Sequence, residues 1–142
     1  MDALMPEQAL RTARFIWGGI LMGQLTFIAV VAFIVSGGAG QGDGLPFPAF
    51  GVAAAAGAGA IVLAHFVRMQ VFKRHWEGDR ITPQGYVTGT MIHLAILEGA
   101  SMLALVFAML EGQLFPLLLP VFALLAVQVM SFPTGRPMQP AV

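Results

Sequence analysis

Between Arg14 and Asp43 no side chain carries a formal charge, and the run from Phe15 to Val35 is almost wholly apolar. That one run limits sharply what the chain can fold into. A bilayer core roughly 30 Å thick is crossed by about 20 apolar helical residues rising about 1.5 Å each. Inside lipid the backbone must satisfy its own hydrogen bonds, which leaves helices or closed barrels. Barrel strands would show apolar–polar alternation over about 10 residues, and none appears. The same reading applies to Phe47–Val67, which lies between Asp43 and Arg68, to Val87–Leu110, interrupted only by the carboxyl of Glu98, and to the uncharged Leu114–Phe132. Arg11 and Arg14 precede the first run as bases precede a signal peptide. Its apolar stretch nevertheless exceeds the roughly 7–15 residues of a signal core, and no small-residue cleavage pattern follows, so it reads as a retained helix. The expected fold is an all-α, four-helix transmembrane bundle forming one domain over residues 1–132. Residues 133–142, with Pro133, Pro137 and Pro140, are expected to be a disordered cytoplasmic tail.

Composition agrees with the spans. Hydrophobic residues make up 58% of the chain and charged ones 10%, against roughly 25% charged in a soluble domain. A soluble enzyme of this size would lack polar material for its surface. Lys+Arg and Asp+Glu number 7 each, which removes the electrostatic footprint of a nucleic-acid binder. The absence of cysteine excludes disulfides, thiolate zinc sites and a cysteine nucleophile. No nucleotide loop, nucleophile elbow or metalloprotease pattern is present, and the chain reads as non-enzymatic.

Orientation follows from the bases. Arg11 and Arg14 precede the first span, Arg68, Lys73, Arg74 and Arg80 lie between the second and third, and Arg136 is in the tail. The segments Ser36–Pro46 and Glu111–Gln113 have none. The positive-inside rule therefore predicts that both termini are cytoplasmic, and the pattern suits a bacterial inner membrane. Arg68, Lys73, Arg74, Trp76 and Arg80 are expected to anchor the chain at the headgroups, with Trp17 and Tyr86 in the same aromatic belt. The short turn after the third span makes the last two helices antiparallel neighbours. Sliding the chain against itself pairs Ile16 with Ile92, Ile20 with Ile96, Leu21 with Leu97 and Gly23 with Gly99, as two repeated hairpins would.

Three groups of residues are candidates for function. Gly19 and Gly23 form a GxxxG pair, Gly57 and Gly59 lie in the small-residue run Ala53–Ala60, and Gly99 follows Ala95 by one turn. Small residues let helices approach closely in lipid, where no hydrophobic force joins them. They point to helix packing, within one protomer or in a homo-oligomer or membrane complex. Glu98 lies near mid-membrane, where an ionised carboxylate costs at least about 2.5–3.5 kcal/mol and the neutral acid is favoured. Ser101, Gln24 and Thr26 sit at comparable depth as hydrogen-bond partners. The set fits either a register-fixing acid or an ion- or proton-binding site. His65 and His93 fall in one leaflet and could in principle ligate a haem or a metal. No second pair exists, and no cofactor is expected.

Two resemblances bear on these residues. Residues 49–110 resemble the rotor-ring c subunits of ATP synthases. Ala53–Ala60 corresponds to their Gly/Ala-rich helix, and Ile96–Leu110, with Glu98 at the carboxylate position, to their second helix. The connecting segment reads Lys73-Arg-His-Trp-Glu-Gly78 instead of that family's short Arg-Gln-Pro-type loop. That resemblance implies a proton- or ion-translocating subunit. Thr88, Ile92, His93, Ala95, Glu98, Gly99 and Ala100 are similar to a pattern in small uncharacterised four-helix bacterial membrane proteins, a likeness that implies the fold but no activity.

The orientation is directly testable. A reporter fused at Gly40 is expected to face the opposite compartment from tags at both termini. A periplasmic signal from a C-terminal fusion would contradict the assignment.

Overall fold

In the computed structural model, residues 5–38 and 47–139 are described. Among them are four α-helices: α1 (Pro6–Ser36), α2 (Ala49–Arg74), α3 (Pro83–Glu111) and α4 (Leu118–Met130). A two-residue-per-strand hairpin, β1 (Trp76–Glu77) and β2 (Arg80–Ile81), joins α2 to α3, and a 3₁₀ turn, Arg136–Met138, follows α4. The all-α bundle predicted from the sequence is the observed architecture. Helices α1, α2 and α3 are long and apolar enough to cross a membrane.

Local chemistry sets most of the boundaries. Pro6 and Pro83 occupy the first turns of α1 and α3, where a missing N–H is not needed. Thr82 caps α3 by accepting from the Gly85 N–H at 3.2 Å. Gly112, at φ +63°, ends α3. Its N–H reaches Met109 O at 3.3 Å and the Gln113 N–H reaches Ala108 O at 3.2 Å, a Schellman pair that a left-handed glycine allows. Gly78, at φ +63°, opens the two-residue hairpin turn.

The fourth span departs from expectation. The sequence predicts a crossing over Leu114–Phe132, but α4 has 13 residues, about 20 Å at a helical rise of about 1.5 Å. That is too short to cross a bilayer core alone. Pro116 cannot supply a ladder N–H, so Leu114–Leu117 form a turn, with Leu118 N bonding Leu114 O at 2.9 Å. Leu117 is buried against the bundle, while Phe115 of the same turn is exposed.

The tail also differs. Pro133, Gly135 and Met138 are buried instead of disordered. Met138 joins Ala9, Ala13, Phe72, Ile81 and Tyr86 in one apolar cluster, and the Gly135 N–H donates to the Tyr86 hydroxyl at 3.1 Å. Residues 140–142 lie outside the described residues. This cluster gathers the start of α1, the end of α2, the hairpin and the tail at one end of the bundle, which carries the basic residues and is called the basic end below.

Helix α3 is the hub. It packs against α1, α2 and α4, whereas α1 and α2 have little contact with each other. The first and second helical pairs are thus not equivalent, as two repeated hairpins would be. Near the basic end α2 and α3 come close at Gly85 and Gly89: a Cβ on Gly89 would stand 2.6 Å from Phe72 Cε1, and one on Gly85 would overlap His75 Cβ. At the opposite end Val31, Ala49, Ala53, Ala104, Leu105, Ala108, Leu117 and Val121 form an apolar core drawn from all four helices and the turn before α4.

Gly89→Ala is expected to lower the unfolding temperature in detergent, with a loss of about 1–3 kcal/mol as Phe72 is displaced. Gly99→Ala, where nothing lies within 4 Å of the added methyl, is expected to be neutral or mildly stabilising through helix propensity. Equal effects would mean that α2 and α3 are not in tight contact at Gly89.

Candidate functional site

The bundle presents large apolar side chains outward, and its mostly apolar interior also holds five polar residues. Phe15, Phe33, Val62 and Phe66 are each more than half exposed, while Gln24, Thr90, His93, Ser101 and Gln128 are buried. Side chains of the first kind suit lipid. The second set is a polar core that α3 organises, since Thr90, His93 and Ser101 follow one another at helical spacing on its buried face.

Ser101 Oγ accepts from Gln24 Nε2 at 2.6 Å, joining α3 to α1 in the middle of the bundle. Nearer the basic end, His93 Nε2 lies 3.1 Å from Ser131 Oγ. The Ser131 hydroxyl donates to Val127 O at 2.7 Å, so it accepts from a His93 Nε2–H. The His93 ring also lies beside the Ala64 carbonyl of α2, and its Nδ1 makes no hydrogen bond. Trp17 Nε1 donates to Gln128 O at 2.9 Å and its ring meets Phe132 edge-on at 5.0 Å. Arg14 lies over the other side of this junction, 5.3 Å from the Phe132 centroid, and donates to Pro133 O at 3.2 Å.

Several buried polar atoms make no hydrogen bond: Gln24 Oε1, Thr90 Oγ1 and both amide atoms of Gln128, besides His93 Nδ1 and Arg68 Nε. Each unsatisfied buried group costs about 1–3 kcal/mol. These atoms are spread over all four helices.

The residues singled out from sequence fall into distinct places. Glu98 is half-buried on α3. Its expected partners do not converge on it: Gln24 and Ser101 bond each other, and Thr26 is exposed and donates to Met22 O of its own helix at 2.8 Å. His65 is exposed while His93 is buried, so the two rings occupy different surroundings. Among the described residues no three His, Cys, Asp or Glu side chains are grouped as a metal site requires. Of the anchoring set, Lys73, Arg74, Trp76 and Arg80 are exposed at the basic end. Trp76 Nε1 bonds Gly78 O at 3.0 Å, and Arg68 is half-buried with its guanidinium 5.1 Å from the Phe72 centroid. Tyr86 is not in the aromatic belt. It is buried and stacked on Phe72 at 6.1 Å.

Among the glycines, Gly57 meets another helix: a Cβ there would lie 3.5 Å from Leu124 Cδ1. Gly19, Gly23, Gly59 and Gly99 are exposed, with nothing within 4 Å of an added Cβ. Sequence reasoning missed Gly85, Gly89, Thr90 and Gln128. A GxxxG spacing and an amide inside an uncharged span were the signals that could have found the glycines and Gln128.

Comparison with protein families, curated proteins and solved structures finds no match to this chain. The functional reading therefore rests on its own geometry.

Removing either partner of the Gln24–Ser101 bond is expected to destabilise the bundle. Gln24→Leu and Ser101→Ala should each lose about 1–3 kcal/mol, and the double variant less than their sum. Thermal unfolding of the four proteins in one detergent measures the coupling. Strict additivity would show that the bond contributes nothing.

Proposed function

We propose that this chain is a non-enzymatic membrane subunit that assembles laterally, as a homo-oligomer or within a larger complex, through the outward faces of its long helices. The observation that carries the reading is the exposure of Gly19, Gly23, Gly59 and Gly99. A glycine inside a helix costs about 1 kcal/mol relative to alanine, and these four gain no contact within the protomer in return. Facing outward from three different helices, they leave smooth strips against which another helix can pack closely. A second copy of the chain carries the same strips and is the simplest partner.

The basic end is assigned to the cytoplasm, in the inner membrane of a bacterium. Gathering the starts and ends of the helices with Arg11, Arg14, Lys73, Arg74, Arg80 and Arg136 at one end supports this through the positive-inside rule. The ion-carrying alternative would use Glu98. It finds less support, because the polar side chains expected to ligand with Glu98 are engaged elsewhere.

Replacing the outward glycines separates assembly from folding. Gly59→Leu and Gly99→Leu should shift the native mass in nanodiscs to a smaller species while leaving the protomer's thermal stability intact. Gly57→Leu should instead destabilise the protomer by forcing Leu124 and Pro120 away. An unchanged mass across Gly19, Gly23, Gly59 and Gly99 variants would show that these faces meet only lipid.

A further inference from the structure

Helices α2 and α4 both start at the end away from the bases, and they share much less contact than either makes with α3. Between them a groove of about 250 Å³ opens outward. Its floor is Gly57, Pro120 and Leu124, all buried, and its exposed rims are Phe50 and Ala58 on α2 and Leu119 and Ala123 on α4. No lining side chain is polar. Phe50 and Ile61, which mark its two ends on α2, lie about 16 Å apart along the axis. That is about one leaflet of a bilayer core roughly 30 Å thick. Phe50 also lines a second cavity, of about 280 Å³, where α2 begins, α3 ends and the turn before α4 passes. This one has polar walls: Glu111 and Gln113 line it beside Phe47 and Phe115. An apolar groove one leaflet deep therefore meets a polar cavity at headgroup level.

We propose that the groove and the cavity together bind one phospholipid of the leaflet opposite the bases, with an acyl chain along the groove and an ammonium-bearing headgroup at Glu111 and Gln113. Dimensions select the chain. A volume of about 250 Å³ spread over about 16 Å has a section of about 15 Å², whereas a helix is about 10 Å across. A helix of a second copy is too wide to enter, but a methylene chain fits. Lying there, it touches two helices and the floor between them, more apolar contact than lipid gains against a single convex helix. Charge selects the headgroup. The cavity lining contains no Lys or Arg, and neither do the segments Ser36–Pro46 and Glu111–Gln113 at this end. An anionic headgroup finds no base there, while the Glu111 carboxylate attracts an ammonium. The site does not rest on lateral assembly, since Gly59 falls on the face of α2 opposite Gly57.

The probe is palmitoyl-oleoyl phosphatidylethanolamine, added to the delipidated chain in detergent and followed by native mass spectrometry. Phosphatidylglycerol with the same acyl chains is the comparison. One phosphatidylethanolamine per chain should persist at collision energies that strip phosphatidylglycerol. Ala54→Leu and Ala123→Leu, whose added atoms fill the groove, should each lower the retained fraction at least about fivefold. Ala55→Leu, exposed on α2 but outside the groove, should leave it unchanged. Glu111→Gln keeps the shape of the cavity and should abolish the preference between the two lipids, a test that leaves the groove itself unaltered. Equal retention by the parent and both groove variants overturns the proposal, as does equal retention of the two lipids by the parent. Loss of a dimer mass instead of a lipid in the groove variants overturns it as well, and gives the groove to a second copy of the chain.

Discussion

Close approach to α3 is the contact on which the rest of the structure depends. Lipid provides no hydrophobic drive between helices, so association must come from van der Waals contact and interhelical hydrogen bonds. Helix α3 supplies both along one face. Gly85 and Gly89 admit the rings of His75 and Phe72, Ser101 receives Gln24, and Ala104 and Ala108 admit the side chains of the far core. Three helices pack on that face, and two of them, α1 and α2, hardly touch each other. The arrangement leaves much of α1 and α2 uncovered, which is why glycines on those helices face outward.

The outside carries large apolar side chains, and the few buried polar groups are distributed unevenly along the axis. The end away from the bases is packed by small and branched apolar side chains. The half nearer the bases holds His93, Ser131, Thr90 and Gln128. Hydrogen bonds there join side chains to backbone carbonyls at the frayed end of α4, as with Trp17 to Gln128 and Arg14 to Pro133. These bonds hold the short fourth helix where helical backbone runs out. The tail completes the closure by carrying Met138 back onto Ala9 and Ala13.

The sequence by itself determined the fold class and which connections carry the bases. Apolar runs of span length without strand alternation require helix, and bases confined to alternate connections must gather at one end of an antiparallel bundle. Those are one-dimensional properties and need no knowledge of neighbours. Turn chemistry was equally local: Gly112 and Thr82 mark the ends of α3 by rules that involve only adjacent residues.

Which face of each helix points inward was decided only by tertiary structure. In lipid the hydrophobic pattern is nearly uniform around a helix, so Gly57 and Gly59 look alike in sequence although one packs on Leu124 and the other meets nothing. Gln24, Glu98 and Thr26 share a depth, yet rotation about the helix axes gives Gln24 to Ser101, leaves Thr26 outside and sets Glu98 half-buried at the edge. The tail looked featureless because its burial depends on Tyr86 and Ala9, residues far away in the chain. Length and charge are read along the chain, but helix rotation is set by contacts between distant residues, and only the folded bundle brings those together.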